Sequence, residues 1–496
     1  MTLWRLILRT VAHYRWSSLA AAAGIAVATA TLTGALLVGQ SVRASLRDLA
    51  LQRLGPVDHA LAATRFLPQD VKMRLVSDPR FAADFETLAA GVLVRGGASS
   101  ADGARRTAGV QIAAIDRWIE VKRGEATVNR RIREEIGDGR IELSLAAVSS
   151  TPADAALARR DRQSVLSGLS ARMTGVAPDS GMAAMFGLHA DQRLPRNVWV
   201  NLADLQQAVD QERRINLLLA DAKSHAEGGD GARRLNALLR EKLGLADYGL
   251  WVKPADSLDE SFLGSDATYI LPAVEEAAAR AAMRLDLPLR KTASYLVNEA
   301  AVLDESGRTR SAIHYAIAAG ISALPDGAIE ADEVVLNDWA ALRLGAKAGD
   351  RIRLTYYVRD ARGELVEVAS DAVEGGMLFR VARIIATEGI GADRTLTPEY
   401  RGLTDASSVA DWNPPRGFDF KKSLVTAEDE AYWDQHRGAP KLFVNLGTAR
   451  RLWNSGYGEL TGIRVPKAKA DAFAAELLRE IDPTLMGLEF RPIREA

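Results

Sequence analysis

The pattern of hydrophobic and polar positions divides the chain near residue 56. Leu3, Trp4, Ile7, Leu8, Val11 and Ala12 recur at helical spacing with Arg5 and Arg9 between them, so residues 1–16 read as an amphipathic helix. Such a helix suits a membrane surface, with Trp4, Tyr14 and Trp16 at interfacial depth. The plainer reading is a basic flank of the apolar stretch beyond Arg15. No charged residue lies between Arg15 and Arg43. About 20 apolar residues, rising ~1.5 Å each, cross the ~30 Å hydrocarbon layer, and lipid offers backbone groups no water. Residues 17–39 therefore predict a transmembrane helix. Helical spacing continues in Val42, Leu46, Leu49 and Leu54 and stops at Gly55-Pro56, which predicts a stalk helix over 40–56. A cleaved signal peptide is the main alternative, although its apolar region usually runs about 7–15 residues. A buried helix of a soluble protein is the other.

Charge does not orient the span. Arg5, Arg9 and Arg15 precede it, and Arg43, Arg47 and Arg53 follow it. Ala20, Gly24 and Ala28, then Ala30 and Gly34, repeat at small-xxx-small spacing, a candidate packing face for another helix. The bland reading is that alanine is abundant here.

Beyond residue 56 the pattern alternates between strand and helix periods, and it is written twice. VNRRIREEIG-DGRIELSL (Val128 to Leu145) matches LNDWAALRLG and GDRIRLTY (Leu336 to Tyr356), pairing Asn129 with Asn337 and Gly137 with Gly345. Each reads as a short helix ended by glycine, then a strand. NVWVNLADLQQA (Asn197 to Ala208) matches KLFVNLGTARRL (Lys441 to Leu452), pairing Asn201 with Asn445. A second strand follows in each copy, INLLLA or LTGIRV, then a helix containing LLRE, then Gly249-Leu250 or Gly487-Leu488. Four matches in one order imply an internal duplication. The expected fold is α+β: one N-terminal transmembrane helix, then two related mixed α/β lobes with helices on one face of each sheet. The first lobe is placed at 57–253, a polar joint at 254–266 and the second lobe at 267–496. The second copy has a longer middle, and its stretch Thr397 to Phe420 reads as an ordered surface loop.

Composition removes several functions. The 496 residues carry 63 Lys+Arg against 64 Asp+Glu, which excludes a basic coat for nucleic acid. There is no cysteine, so disulfides, thiolate metal sites and cysteine nucleophiles are absent. No phosphate loop, GxSxG elbow, HExxH helix or dinucleotide glycine fingerprint occurs. His13, His59, His189, His225, His314 and His436 lack metal-ligand spacing and read as structural or exposed. Asp405, Asp411, Asp419, Glu428, Asp429, Glu430 and Asp434 crowd the insertion without EF-hand spacing, so they read as a solvated loop. Trp412, Trp433 and Trp453 are a candidate partner surface, with core packing as the alternative. No catalytic residue, cofactor or metal site is expected.

The pieces WVNLADLQQA and FVNLGTARRL resemble the strand–helix piece of FtsX/MacB-type permeases, the membrane subunits of a class of ABC transporters. Asn201 and Asn445 stand where that family often has proline. LNDWAALRLGAKAGDRIRLTY is similar to the family's helix–GD–strand piece. The resemblance implies a MacB-like periplasmic core domain outside the cell inner membrane and a cytoplasmic amino terminus. It implies a non-enzymatic subunit in transport, with a cytoplasmic ABC ATPase, a second permease chain, and an extracytoplasmic protein or lipid substrate as partners. In that family three more membrane helices follow the lobes, so a chain ending LEFRPIREA reads as a fragment or truncated product. The alternatives are a single-span, membrane-anchored extracytoplasmic binding module, and a secreted enzyme with an unfamiliar site.

Overall fold

The computed structural model describes residues 3–494 except 147–165, 189–193, 224–227, 361, 363, 374–375, 401, 415–416 and 454. His189 and His225 lie outside the described residues, as does the side chain of Leu46.

Two helices open the chain, Leu3–His13 and Arg15–Leu54, separated at Tyr14. The second has 40 residues and spans roughly 60 Å at ~1.5 Å per residue, about twice the apolar thickness of a bilayer. It is the one described helix long and apolar enough to cross a membrane. Its large apolar side chains from Leu19 to Val38 are exposed, whereas Leu54 at its end is buried. Gly55 then turns the chain with φ at +60°, and a Cβ there would stand 3.2 Å from Met182 Cβ. Glycine is required at that turn both for the backbone and for the close approach.

The chain then forms β1 (His59–Pro68), β2 (Phe85–Ser100), β3 (Arg106–Ile115), β4 (Glu125–Val128), β5 (Arg140–Ala146), β6 (Leu166–Val176), β7 (Asn197–Val200) and β8 (Arg214–Ala222). It continues with β9 (Leu250–Pro254), β10 (Glu260–Ser265), β11 (Arg290–Leu303), β12 (Thr309–Ile321), and a small hairpin of β13 (Ala323–Leu324) and β14 (Gly327–Ala328). Next come β15 (Glu333–Asn337), β16 (Arg351–Arg359), β17 (Leu365–Ala369), β18 (Phe379–Ile385), β19 (Leu442–Asn445), β20 (Gly462–Pro466) and β21 (Arg491–Pro492).

The first sheet has the order β21-β1-β8-β2-β3-β7-β4-β6-β5, and β5 returns to pair with β2. The second has the order β9-β10-β20-β11-β12-β19-β15-β18-β16-β17, and β16 returns to pair with β11. The two orders correspond strand for strand from β21/β9 to β5/β16. The directions correspond as well. β3–β7 and β4–β6 are parallel in one sheet, β12–β19 and β15–β18 in the other, and the other corresponding pairs are antiparallel. Each lobe is thus a six-stranded closed barrel with an open wing. One long strand, β2 or β11, runs from the wing into the barrel wall. At the first closure Gly96 lies between β3 and β5, and a Cβ there would fall 2.1 Å from the Ser144 carbonyl oxygen. Any side chain would force β5 away and open the wall.

The wings are completed by exchange. β9 follows the first lobe in the chain but pairs with β10 of the second sheet. β21 follows the second lobe but pairs with β1 of the first. Within the stretch 254–266, read from sequence as a joint, Glu260–Ser265 is therefore a strand between β9 and β20. Behind the wings the helices of both lobes share one core. Leu235 and Leu239 of the helix Gly228–Lys242 belong to it together with Val274 and Ala278 of Pro272–Leu285 and Phe473 and Leu477 of Ala470–Glu480. Leu488 and Phe490 complete it. Each barrel keeps its own core besides, including Ile112, Ile132 and Val198 in the first and Tyr295, Leu354 and Val444 in the second.

The matched sequence pieces begin their helices in matched ways. Asn129 accepts from Ile132 N–H and Asn337 from Ala340 N–H, and Gly137 and Gly345 end the two helices. The described residues of the stretch 397–420 form an irregular segment over the second barrel that keeps Glu399, Asp405, Ser407, Asp411 and Asn413 exposed while turning several apolar side chains inward. Tyr400, Leu403, Val409, Trp412 and Phe418 are buried against the second barrel, where their apolar area leaves water.

Candidate functional site

The two ends of the lobe pair meet at one place. The apolar helix enters at Gly55, and the last described residues return there. β21 pairs with β1 through His59↔Pro492 and Ala60↔Arg491. Ile493 N–H donates to the Asp58 carbonyl at 2.9 Å. The Arg494 guanidinium donates to the Gly55 carbonyl at 2.7 Å and the Val57 carbonyl at 3.1 Å, and sits 2.9 Å from Asp58 Oδ1. The other carboxylate oxygen, Asp58 Oδ2, accepts from Ala222 N–H at 2.8 Å. Helix ends leave carbonyls without partners, and here an arginine from the far end of the chain supplies donors to that turn. Nothing local in the sequence marks this pairing: Asp58 and Arg494 are ordinary residues until the fold brings them together.

A second feature is a groove of about 880 Å³ between the β9–β10 hairpin and the insertion of the second lobe. Trp251 and Phe262 form its floor, ring centroids 5.2 Å apart, and Lys253 Nζ lies 4.0 Å over the Trp251 ring. Arg394 pairs with Asp256, Lys253 stands 3.7 Å from Glu399, and Arg437 donates to the Ser407 carbonyl. The groove's charged groups thus have partners within the chain.

The sequence-predicted residues fall differently. Gly24 and Gly34 have nothing within 4 Å of a built Cβ, and Ala20, Ala28 and Ala30 are exposed, so among the described residues no helix packs on that stripe. Trp412, Trp433 and Trp453 are a correction. They are 6%, 4% and 4% exposed and lie in the second barrel's core. Trp412 meets Trp433 edge-on at 5.2 Å, and Trp453 stacks on Tyr295 at 5.7 Å. They offer no surface: the insertion folds over the barrel and takes Trp412 and Trp433 inward, and Trp453, at the end of the helix Leu446–Leu452, packs into the same core. Of the acidic cluster, Glu430 accepts from Val409 and Ala410 N–H, and Asp429 pairs with buried Lys441 at 3.1 Å. Burial pushes the Lys441 ammonium below the usual lysine range, and it rests 4.1 Å over the Trp339 ring. Among the described residues no group of three or more His, Asp or Glu is arranged to hold a metal. His59 is buried edge-on to Phe85.

No family model matches the chain, and no curated protein matches it. Among solved structures, it is similar to the extracellular domain of the noncanonic ABC-type transporter YknZ from Gram-positive bacteria. The identity is 8% and the TM-score 0.23, over 37% of this chain and 93% of that one. It is also similar to the periplasmic region of MacB from Actinobacillus actinomycetemcomitans. There the identity is 9% and the TM-score 0.23, over 39% of this chain and 88% of that one.

Proposed function

We propose that this chain is the extracytoplasmic lobe pair and first membrane helix of a non-enzymatic permease in an ABC-type export or mechanotransmission complex. The observation that carries the reading is the contact of Arg494 with Gly55, which sets both ends of the lobe pair side by side at the base of the apolar helix. This placement supports a lobe pair attached to the membrane at one face, where the apolar helix enters it. The repeated strand–helix pieces around Asn201 and Asn445 support it through their resemblance to FtsX/MacB-type permeases. In this reading residues 17–39 cross the inner membrane and the amino terminus is cytoplasmic. An ATPase on the cytoplasmic side moves the helices, and the 40-residue helix, a rigid element, carries that movement to the lobes. The partners are that ATPase, a second permease chain, and an extracytoplasmic protein or lipid cargo. A single-span binding module is the second reading, favoured by the groove at Trp251 and Phe262. Affinity purification from native membranes separates the two. Recovery of an ABC ATPase at stoichiometric level supports the permease, and recovery of a membrane-bound chain with no ATPase supports the module.

A further inference from the structure

The exchanged end strands are not held equally. β9 is registered on β10 through five residue pairs, from Ser261↔Pro254 to Ser265↔Leu250. β21 is registered on β1 through two, His59↔Pro492 and Ala60↔Arg491. Beyond those two, the segment is held by Ile493, whose N–H donates to the Asp58 carbonyl and whose side chain packs half-buried beside Val57 and Ala60, and by the guanidinium of Arg494, on the carbonyls of Gly55 and Val57 and on Asp58. Just before the strand the attachment changes character. Phe490 is 1% exposed in the shared core, and its backbone is held on both sides by one carboxamide: Asn236 Nδ2 donates to the Phe490 carbonyl at 2.9 Å, and Phe490 N–H donates to Asn236 Oδ1 at 2.7 Å.

We infer that residues 491–494 form a releasable strap that clasps the chain end to the base of the apolar helix, with Phe490 as the stop. Elements with few buried contacts and edge hydrogen bonds open first. When the helix and this segment are drawn apart, the Arg494–Asp58 clasp, the Ile493 contacts and the two β21 pairs give way, while the Asn236–Phe490 anchor keeps the lobes intact. Four residues at ~3.3 Å each allow about 13 Å of travel before the stop bears load. Opening also bares the edge of β1. The inference rests on the proposed function only for the source of the pull; the clasp itself is a property of this chain.

The chain has no cysteine, so Gln52→Cys on the exposed helix side and Ile493→Cys on the strap, three residues past the stop, take spin labels at unique positions. Distances are measured by pulsed electron resonance on the full chain in lipid nanodiscs. With Arg494 intact one narrow distance is expected. Arg494→Ala should add a second population, longer by up to about 10 Å, the reach of the three residues between the stop and the label. Arg494→Lys, which keeps the charge but not the reach to both carbonyls, should give a smaller share of it. Unchanged distances in both variants overturn the inference. So does a global loss of near-ultraviolet circular dichroism in Arg494→Lys, because the strap would then be part of the fold's core. Absence of an ATPase in the membrane purification would remove the proposed function and leave this result standing.

Discussion

Asn201 and Asn445 do the same work in the two lobes. Asn201 Oδ1 accepts from the Ala203 and Asp204 N–H groups, and Asn445 Oδ1 accepts from those of Gly447 and Thr448. Each also donates from its Nδ2 to a carbonyl of a preceding loop, Val121 at 2.9 Å and Ile329 at 2.8 Å. One side chain thus ends a strand, starts a helix and ties down a loop. Asn201→Ala and Asn445→Ala should each lower stability by about 1–2 kcal/mol, the cost of a lost cap. Urea unfolding of each variant checks this, and the two losses should agree within error because the surroundings correspond.

Those asparagines were legible in the sequence because a strand–cap–helix unit is local: its signal fits in a dozen residues. The same holds for Asn129, Gly137 and their partners Asn337 and Gly345. The closure of each barrel was not legible. It depends on β5 returning to β2 and β16 to β11, and on an unremarkable glycine, Gly96, that lets two strands approach. The exchange of β9 and β21 was hidden for a similar reason. Gly249-Leu250 and Gly487-Leu488 matched as sequences, but a match between copies does not say which sheet each strand joins. For the tryptophans the sequence left partner surface and core packing open, and burial in the second barrel decides for the core: Trp412 sits in the irregular segment, Trp433 on the helix Ala427–His436 and Trp453 at the end of Leu446–Leu452.

Burial of Trp433 gives a clear expectation. Trp433→Ala should cost about 3–5 kcal/mol by leaving a cavity in the second barrel, and Trp433→Phe much less. Denaturant unfolding followed by circular dichroism measures both. A Trp433→Ala change within about 0.5 kcal/mol of wild type would return this residue to the surface.

Glu135 supplies a pH signature in the first lobe. Its carboxylate accepts from Arg196 at 2.7 Å and also from Thr107 and Arg131, and these bonds hold it at about 2, below its ordinary 4.5. A depressed carboxylate stabilises the fold above its unfolded value and loses that contribution as pH falls through the folded one. Glu135→Gln should therefore lose about 1–2 kcal/mol at neutral pH, after allowance for solvent screening. The gap to wild type should stay constant down to about pH 5 and close toward pH 2. Thermal unfolding across that range tests the sign.

The exchange of end strands can be tested with the whole folded chain. A protease site inserted in the exposed turn between β9 and β10, beside Leu258, allows one cut after folding. Each half then owns a strand that completes the other's sheet and half of the shared helical core. After cleavage in mild detergent, the two halves should co-elute in size-exclusion chromatography as one species and separate only in denaturant. Separation into two folded lobes under native conditions would contradict the account.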